Sequence, residues 1–170
     1  SLTLPRVLTL RQGHIFSEPV RELKALRHRE TERALEMARK SAYETELFDL
    51  TELLLDIEMG DVYTVAVELV YGAEKLVFRY HRLEQVMTID RKGGRGTRSF
   101  KLYVDHTLSL RLYIDHSAVE TFFQYGEEAA TIALFPQEDV RPTLRVFTDV
   151  DVIRLTGAMW ELEPFRYESS

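Results

Sequence analysis

From about Ala42 onward, apolar and polar residues alternate with a period of two. The run Val62-Tyr63-Thr64-Val65-Ala66-Val67-Glu68-Leu69-Val70-Tyr71 is β-branched and aromatic and closes on Gly72. Leu76–Tyr80 follows after a short turn, and the spacing predicts further strands over Gln85–Asp90, Phe100–Val104, Leu108–Asp115, Ala118–Gln124, Ala130–Phe135, Thr143–Thr148 and Val152–Leu155. Phe135-Pro136 and Arg141-Pro142 punctuate the later ones. The first thirty residues have a different texture. Leu2–Arg6 and Val7–Leu10 are short extended runs with Gly13 as a turn. Pro19 then stands where a helix can start, with Val20, Leu23 and Leu26 at helical spacing. Arg29–Lys40 is charge-rich and fits a short surface helix or an ordered loop.

Many short strands with brief turns and no alternating helices predict an all-β, antiparallel two-sheet sandwich of jelly-roll or concanavalin type. Residues 1–170 form one such domain, in which 1–40 is a junction segment. Leu108–Gln124 is the best-defined piece. A reversal at His116-Ser117 sets Asp115 opposite Ala118, Ile114 opposite Val119, Leu112 opposite Thr121 and Leu110 opposite Phe123. That register gives one apolar face. The other carries Arg111, Tyr113, Asp115, Glu120 and Phe122, with Arg111 diagonal to Glu120 and within pairing reach. A one-residue slip would send Arg111 and Glu120 into the core. Neither turn residue favours positive φ, so the turn is expected to be looser than a tight hairpin.

Composition narrows the chemistry. The 170 residues include 22 basic and 28 acidic side chains, a net charge of −6, and neither cysteine nor asparagine. Disulfides, thiolate metal sites, a Cys nucleophile and N-glycosylation are thereby excluded. The acidity argues against a nucleic-acid partner, and runs such as Leu53-Leu54-Leu55 are far short of a membrane span. Residues 1–20 lack a signal-peptide pattern, so a cytoplasmic location is expected.

No candidate site assembles from spacing alone. The five histidines, at 14, 28, 81, 106 and 116, include no pair spaced for one metal. Leu102-Tyr103-Val104-Asp105-His106-Thr107 recurs as Leu112-Tyr113-Ile114-Asp115-His116-Ser117, so two Asp-His pairs could form a split site. The simpler reading is two strands that each end in a polar turn. Arg91-Lys92-Gly93-Gly94-Arg95-Gly96-Thr97-Arg98 is the only dense basic stretch. It reads as a phosphate-cradling loop or, more simply, a solvated hairpin loop, because it lacks a Gly-Lys-Ser/Thr ending. Glycoside hydrolysis needs two carboxyl groups about 5–10 Å apart, and the candidate pairs are Asp115 with Glu120, Asp149 with Asp151, and Glu127 with Glu128. Each fits a structural role at least as well. Ser117 has no Gly-x-Ser-x-Gly context. The expectation is no catalytic, cofactor-binding or metal-binding residue, and no cofactor.

The hairpin Leu110-Arg111-Leu112-Tyr113-Ile114-Asp115-His116-Ser117-Ala118-Val119-Glu120-Thr121-Phe122 resembles the Asp-Arg-Ser-Ser-Val-Glu-Ile-Phe signature of the C-terminal β-sandwich of family 32 glycoside hydrolases. That family holds the invertases, fructanases and sucrose-6-phosphate hydrolases. Thr131-Ile132-Ala133-Leu134-Phe135-Pro136 is similar to its Thr-Ser-Arg-Ile-Phe-Pro run. Leu2–Arg6 and Pro19–Arg27 resemble the junction between propeller and sandwich in the bacterial sucrose-6-phosphate hydrolases, and Asp90-Arg91 before Gly93-Gly94 resembles another landmark. His116, Ala118, Thr121 and Ala133 depart from the pattern locally.

The resemblance also implies what is missing. The family's Asn-Asp-Pro-Asn-Gly, Arg-Asp-Pro and Glu-Cys motifs, which carry its nucleophile, transition-state stabiliser and acid/base, do not occur. The implied role is a non-catalytic module cut from the catalytic propeller of a β-fructofuranosidase. Its partners would be that propeller and a second copy, with Leu2–Leu26 as the exposed apolar contributor. The alternative is a lectin-like module that holds fructan or sucrose on an aromatic platform, with Trp160, Phe122, Tyr113 and Tyr125 as candidates. Trp160, near the chain end, is expected to be a partly buried strand anchor.

Overall fold

The computed structural model describes the backbone of residues 6–11, 14–19, 33–40, 42–92, 96–133, 141–149 and 153–162, and side chains within 42–91, 96–133, 141–149 and 154–162. The strands are β1 (Arg6–Arg11), β2 (His14–Pro19), β3 (Arg33–Lys40), β4 (Ala42–Glu46), β5 (Thr51–Glu58), β6 (Thr64–Tyr71), β7 (Glu74–His81), β8 (Val86–Lys92), β9 (Thr97–Lys101), β10 (Thr107–Ile114), β11 (Ala118–Phe123), β12 (Glu128–Ala133), β13 (Thr143–Thr148) and β14 (Ile153–Glu161). A 3-10 turn at Gln124–Gly126 separates β11 from β12. β1 and β2 form a separate hairpin. The rest make two six-stranded antiparallel sheets, ordered β12-β11-β10-β5-β14-β3 and β4-β13-β6-β7-β8-β9. The fold is a β-sandwich.

Alternation builds its core. Val65, Val67 and Leu69 of β6, Leu76, Phe78 and Tyr80 of β7, and Met87 and Ile89 of β8 face Leu53, Leu55 and Ile57 of β5 and Leu108, Leu110 and Leu112 of β10. Phe123 of β11 joins the two layers. Its ring lies 5.2 Å from Phe100 and 6.0 Å from Phe78, both in the other sheet. The β10–β11 register is the expected one, with Leu110 opposite Phe123, Leu112 opposite Thr121 and Ile114 opposite Val119. Leu112 is fully buried.

Several expectations need correction. Arg33–Lys40 is neither helix nor loop but an edge strand paired with β14. Charges suit an edge, where one flank of the ladder stays open. Leu102–Val104 leave the β9 ladder, yet Leu102 and Val104 stay buried, and the Tyr80 hydroxyl donates to the Leu102 carbonyl at 2.7 Å. The second face of the β10–β11 hairpin is covered rather than open. Tyr113, Phe122 and Glu120 are all buried there, and no ion pair joins Arg111 to Glu120 among the described residues. Strand twist brings one cross-strand diagonal together and moves the other apart. The near diagonal holds Tyr113 and Phe122, whose rings meet edge to face at 6.2 Å. The helix expected after Pro19 lies outside the described residues.

Candidate functional site

Two of the candidate acids, Asp115 and Asp149, accept backbone amides. One oxygen of Asp115 accepts from the Ser117 amide at 2.7 Å, the Ala118 amide at 2.7 Å and the Ser117 hydroxyl at 3.0 Å. The Asp115 amide donates to the Ala118 carbonyl at 3.0 Å. A carboxylate that satisfies two turn amides lets the hairpin reverse without glycine or asparagine. Asp149 does similar work, accepting from the Tyr63 and Thr64 amides at 3.1 Å each. Its expected companion Asp151 lies outside the described residues. Glu127 and Glu128 are half-buried beside the 3-10 turn.

Glu120 belongs to a row that crosses the first sheet on its outer side. Trp160, Glu52, Tyr113, Glu120 and Thr131 are successive partners across β14, β5, β10, β11 and β12. Glu52 is 0% exposed and Glu120 3%. The Tyr113 hydroxyl donates to Glu52 Oε2 at 3.3 Å, and the Thr131 hydroxyl to Glu120 Oε1 at 3.1 Å. Buried carboxylates are held by hydrogen bonds of this kind. Sequence reasoning passed over Glu52, which sits beside a run of leucines and looks like an ordinary surface acid.

The repeated Asp-His pairs do not converge. Asp105 and His106 precede β10, and Asp115 and His116 follow it, so eight strand residues at about 3.4 Å each hold them apart. His106 and Asp105 pair at 3.3 Å in the open. Among the described residues no group of three or more His, Asp or Glu could hold a metal ion. His28 is outside the described residues.

Aromatic exposure also differs from expectation. Trp160, Phe122 and Tyr113 are buried, Trp160 as the expected strand anchor in β14. Tyr125 is 64% exposed, and so, over half, are Tyr63 and Tyr103, which the sequence reading did not single out. These residues lie in loops, where alternation gives no signal. The basic stretch contributes the end of β8 and the start of β9, which pair with Asp90 opposite Thr97, and Gly93, Gly94 and Arg95 at its centre lie outside the described residues.

Two buried tyrosines are electrostatically unusual. Burial, then the charges of Asp115 and Glu74, push the Tyr71 hydroxyl well above its ordinary pKa. Burial likewise raises Tyr80, against the opposing hydrogen bonding and the nearby Arg82.

Fold and geometry thus define a two-sheet sandwich in which Asp115 and Asp149 hold turns and Glu52 and Glu120 lie in a buried strand row. The chain matches the family described as glycosyl hydrolases family 32 C terminal over residues 22–156, and it belongs to that family. It is 30% identical over 138 residues to a sucrose-6-phosphate hydrolase of Bacillus subtilis, covering 79% of this chain and 28% of the relative. It is 35% identical over 152 residues to a sucrose-6-phosphate hydrolase of Staphylococcus xylosus, covering 81% of this chain and 30% of the relative. The chain therefore spans less than a third of the length of either relative. Among solved structures, the exo-inulinase of Aspergillus awamori superposes with a TM-score of 0.77 at 16% identity, over 95% of this chain and 35% of the other. Sucrose-6-phosphate hydrolase of Lactobacillus gasseri superposes at 0.72 with 22% identity, over 93% and 33%. At these identities the likeness concerns fold.

Proposed function

We propose that this chain is the non-catalytic C-terminal sandwich of a β-fructofuranosidase, a sucrose-6-phosphate hydrolase, whose catalytic propeller is its main partner. The observation that carries the reading is the 35% identity to the Staphylococcus xylosus enzyme, over 81% of this chain but only 30% of the enzyme. The buried state of Glu120 and Glu52 and the turn duty of Asp115 support it, because none of these is an open acid facing a sugar. The segment before β3 serves as the junction to the propeller, β3 itself belonging to the sandwich, and β2 lies against the 3-10 turn of the sandwich. The module's work is to cover and stabilise the propeller, with a homodimer as a second assembly. It needs no cofactor. Cytoplasmic residence belongs to the same reading. Among the described residues no helix is long and apolar enough to cross a membrane.

The test is deletion of residues 33–170 from the longer protein. The expected result is a propeller that melts at lower temperature or aggregates, and that is rescued in part by adding the sandwich in trans. An unchanged melting temperature and full solubility after deletion would refute the packing role.

A further inference from the structure

Among the described residues, the exposed large hydrophobic side chains are Tyr63, Leu83, Tyr103 and Tyr125, each more than half exposed. Topology places all four at one end of the sandwich, in the connections after β5, β7, β9 and β11. Glu58 and Thr107, the last residue of β5 and the first of β10, are partners, so the β5–β6 and β9–β10 connections cross between the sheets at the same end. The β7–β8 turn adjoins both, because the Arg82 amide donates to the Tyr63 carbonyl at 2.8 Å and the Leu102 amide to the Gln85 carbonyl at 2.9 Å. The 3-10 turn joins them through Gln124, whose Nε2 donates to the Thr107 carbonyl at 3.0 Å. At the opposite end, the connections after β4, β6 and β10 expose no large hydrophobic side chain.

These loops are tied to one another. The Met59 amide donates to the His106 carbonyl at 2.8 Å, Lys101 Nζ to the Glu84 carbonyl at 2.9 Å, and the Arg82 guanidinium to the Gly60 carbonyl. Tyr125 has a left-handed backbone, with φ at 58°, which tyrosine seldom adopts. Gln124 beside it fixes the turn, its Oε1 accepting from the Ser109 amide at 2.6 Å while its Nε2 holds Thr107. The Tyr125 ring is thus presented to solvent from an anchored support. Single exposed apolar residues need no explanation, but four on one tied surface mark an interaction site. Tyrosine is also among the residues enriched where proteins meet.

The path of the chain indicates what covers this end. β2 lies against the 3-10 turn that carries Tyr125, so the segment preceding the sandwich meets it here. The matched region is under a third of either hydrolase relative and belongs to the C-terminal part of the family, so most of their chain precedes it. We propose that the catalytic propeller of the longer protein docks on this end of the sandwich, with Tyr125 and Tyr103 in the contact. The inference rests on the proposed function and adds the surface through which the two parts meet. Tethering through β1 and β2 keeps the propeller beside the patch at high effective concentration, so a contact of modest strength suffices. Loops held in place beforehand also lose little freedom on docking.

Nitration of tyrosines, located by mass spectrometry in the isolated chain and in the longer protein, tests the surface. The expected result is that Tyr103 and Tyr125 react in the chain and lose that reactivity in the longer protein. Tyr103→Asp combined with Tyr125→Asp should leave the melting temperature of the isolated chain unchanged, since both side chains are exposed and aspartate tolerates a left-handed backbone. In the longer protein the same pair should lower the melting temperature of the propeller, as deletion of residues 33–170 does. Ala73→Asp, which adds a charge to the exposed β6–β7 turn at the opposite end, should leave it unchanged. Equal reactivity of Tyr103 and Tyr125 in the two proteins, where the deletion still destabilises the propeller, would overturn this surface and leave the packing role standing. A deletion without effect would overturn both. Protection within the isolated chain that rises with its concentration would assign the surface to a second copy and overturn the proposal.

Discussion

Asp115 shows how one side chain can take over the work of a turn sequence. His116 and Ser117 bring no preference for positive φ, and the carboxylate supplies what they lack by accepting from two amides and a hydroxyl. Asp115→Ala should lower stability by about 1–3 kcal/mol, because it strips a charged acceptor from two amides in a half-buried turn. Chemical denaturation checks this, and Asp115→Asn, which keeps an acceptor, should recover part of the loss. The tyrosines make a separate prediction with a defined sign. A phenol whose folded pKa is raised holds its proton in the native state at a pH where the unfolded chain has released it. Stability is therefore complete below the ordinary tyrosine pKa near 10 and declines as pH rises through that value toward the folded pKa. In an alkaline ultraviolet titration, Tyr71 and Tyr80, two of the eight tyrosines, should ionise only in the unfolding step. Phenolate signal from all eight in a chain that keeps its native circular dichroism would contradict this.

Legibility varied between elements for physical reasons. β10 and β11 could be read to the residue because one face is continuously apolar and a slip would bury Arg111 and Glu120. β5 went unread as a strand, although it lies between β10 and β14 in its sheet. Leu53-Leu54-Leu55 breaks the alternation, as happens when both faces of a strand are covered. β3 was obscured by its charges, which mark an edge rather than a helix. The acids were visible as residue types, but their burial was not, since it depends on partners from β5 and β12 that are distant in sequence. Two substitutions test the packing of these elements. Leu112→Ala should cost about 2–5 kcal/mol, read by denaturant unfolding. Gly157 of β14 lies opposite Leu55, and a Cβ there would sit 2.0 Å from the Leu54 carbonyl oxygen. Gly157→Ala should therefore cost at least about 3 kcal/mol or prevent β14 from pairing with β5. A near-neutral change in the melting temperature would show that the two strands are not so closely apposed.

The whole molecule is a sandwich that belongs to the family 32 C-terminal domains and covers under a third of the hydrolases it resembles. Retaining glycosidases place a nucleophilic carboxylate about 5–5.5 Å from a protonated one across the scissile bond. In this chain the half-buried Asp115 holds a turn together, while Glu120 and Glu52 lie under the outer face of a sheet. On the proposed function, hydrolysis resides in the propeller of the longer protein. The most direct measurement is turnover of sucrose 6-phosphate by the purified chain at high concentration, beside the longer protein and the Asp115→Ala and Glu120→Ala variants of the chain. The expected result is hydrolysis by the longer protein and none by the chain or its variants. Turnover by the chain alone that vanishes in either folded variant would contradict the non-catalytic reading and make the hairpin face an active site.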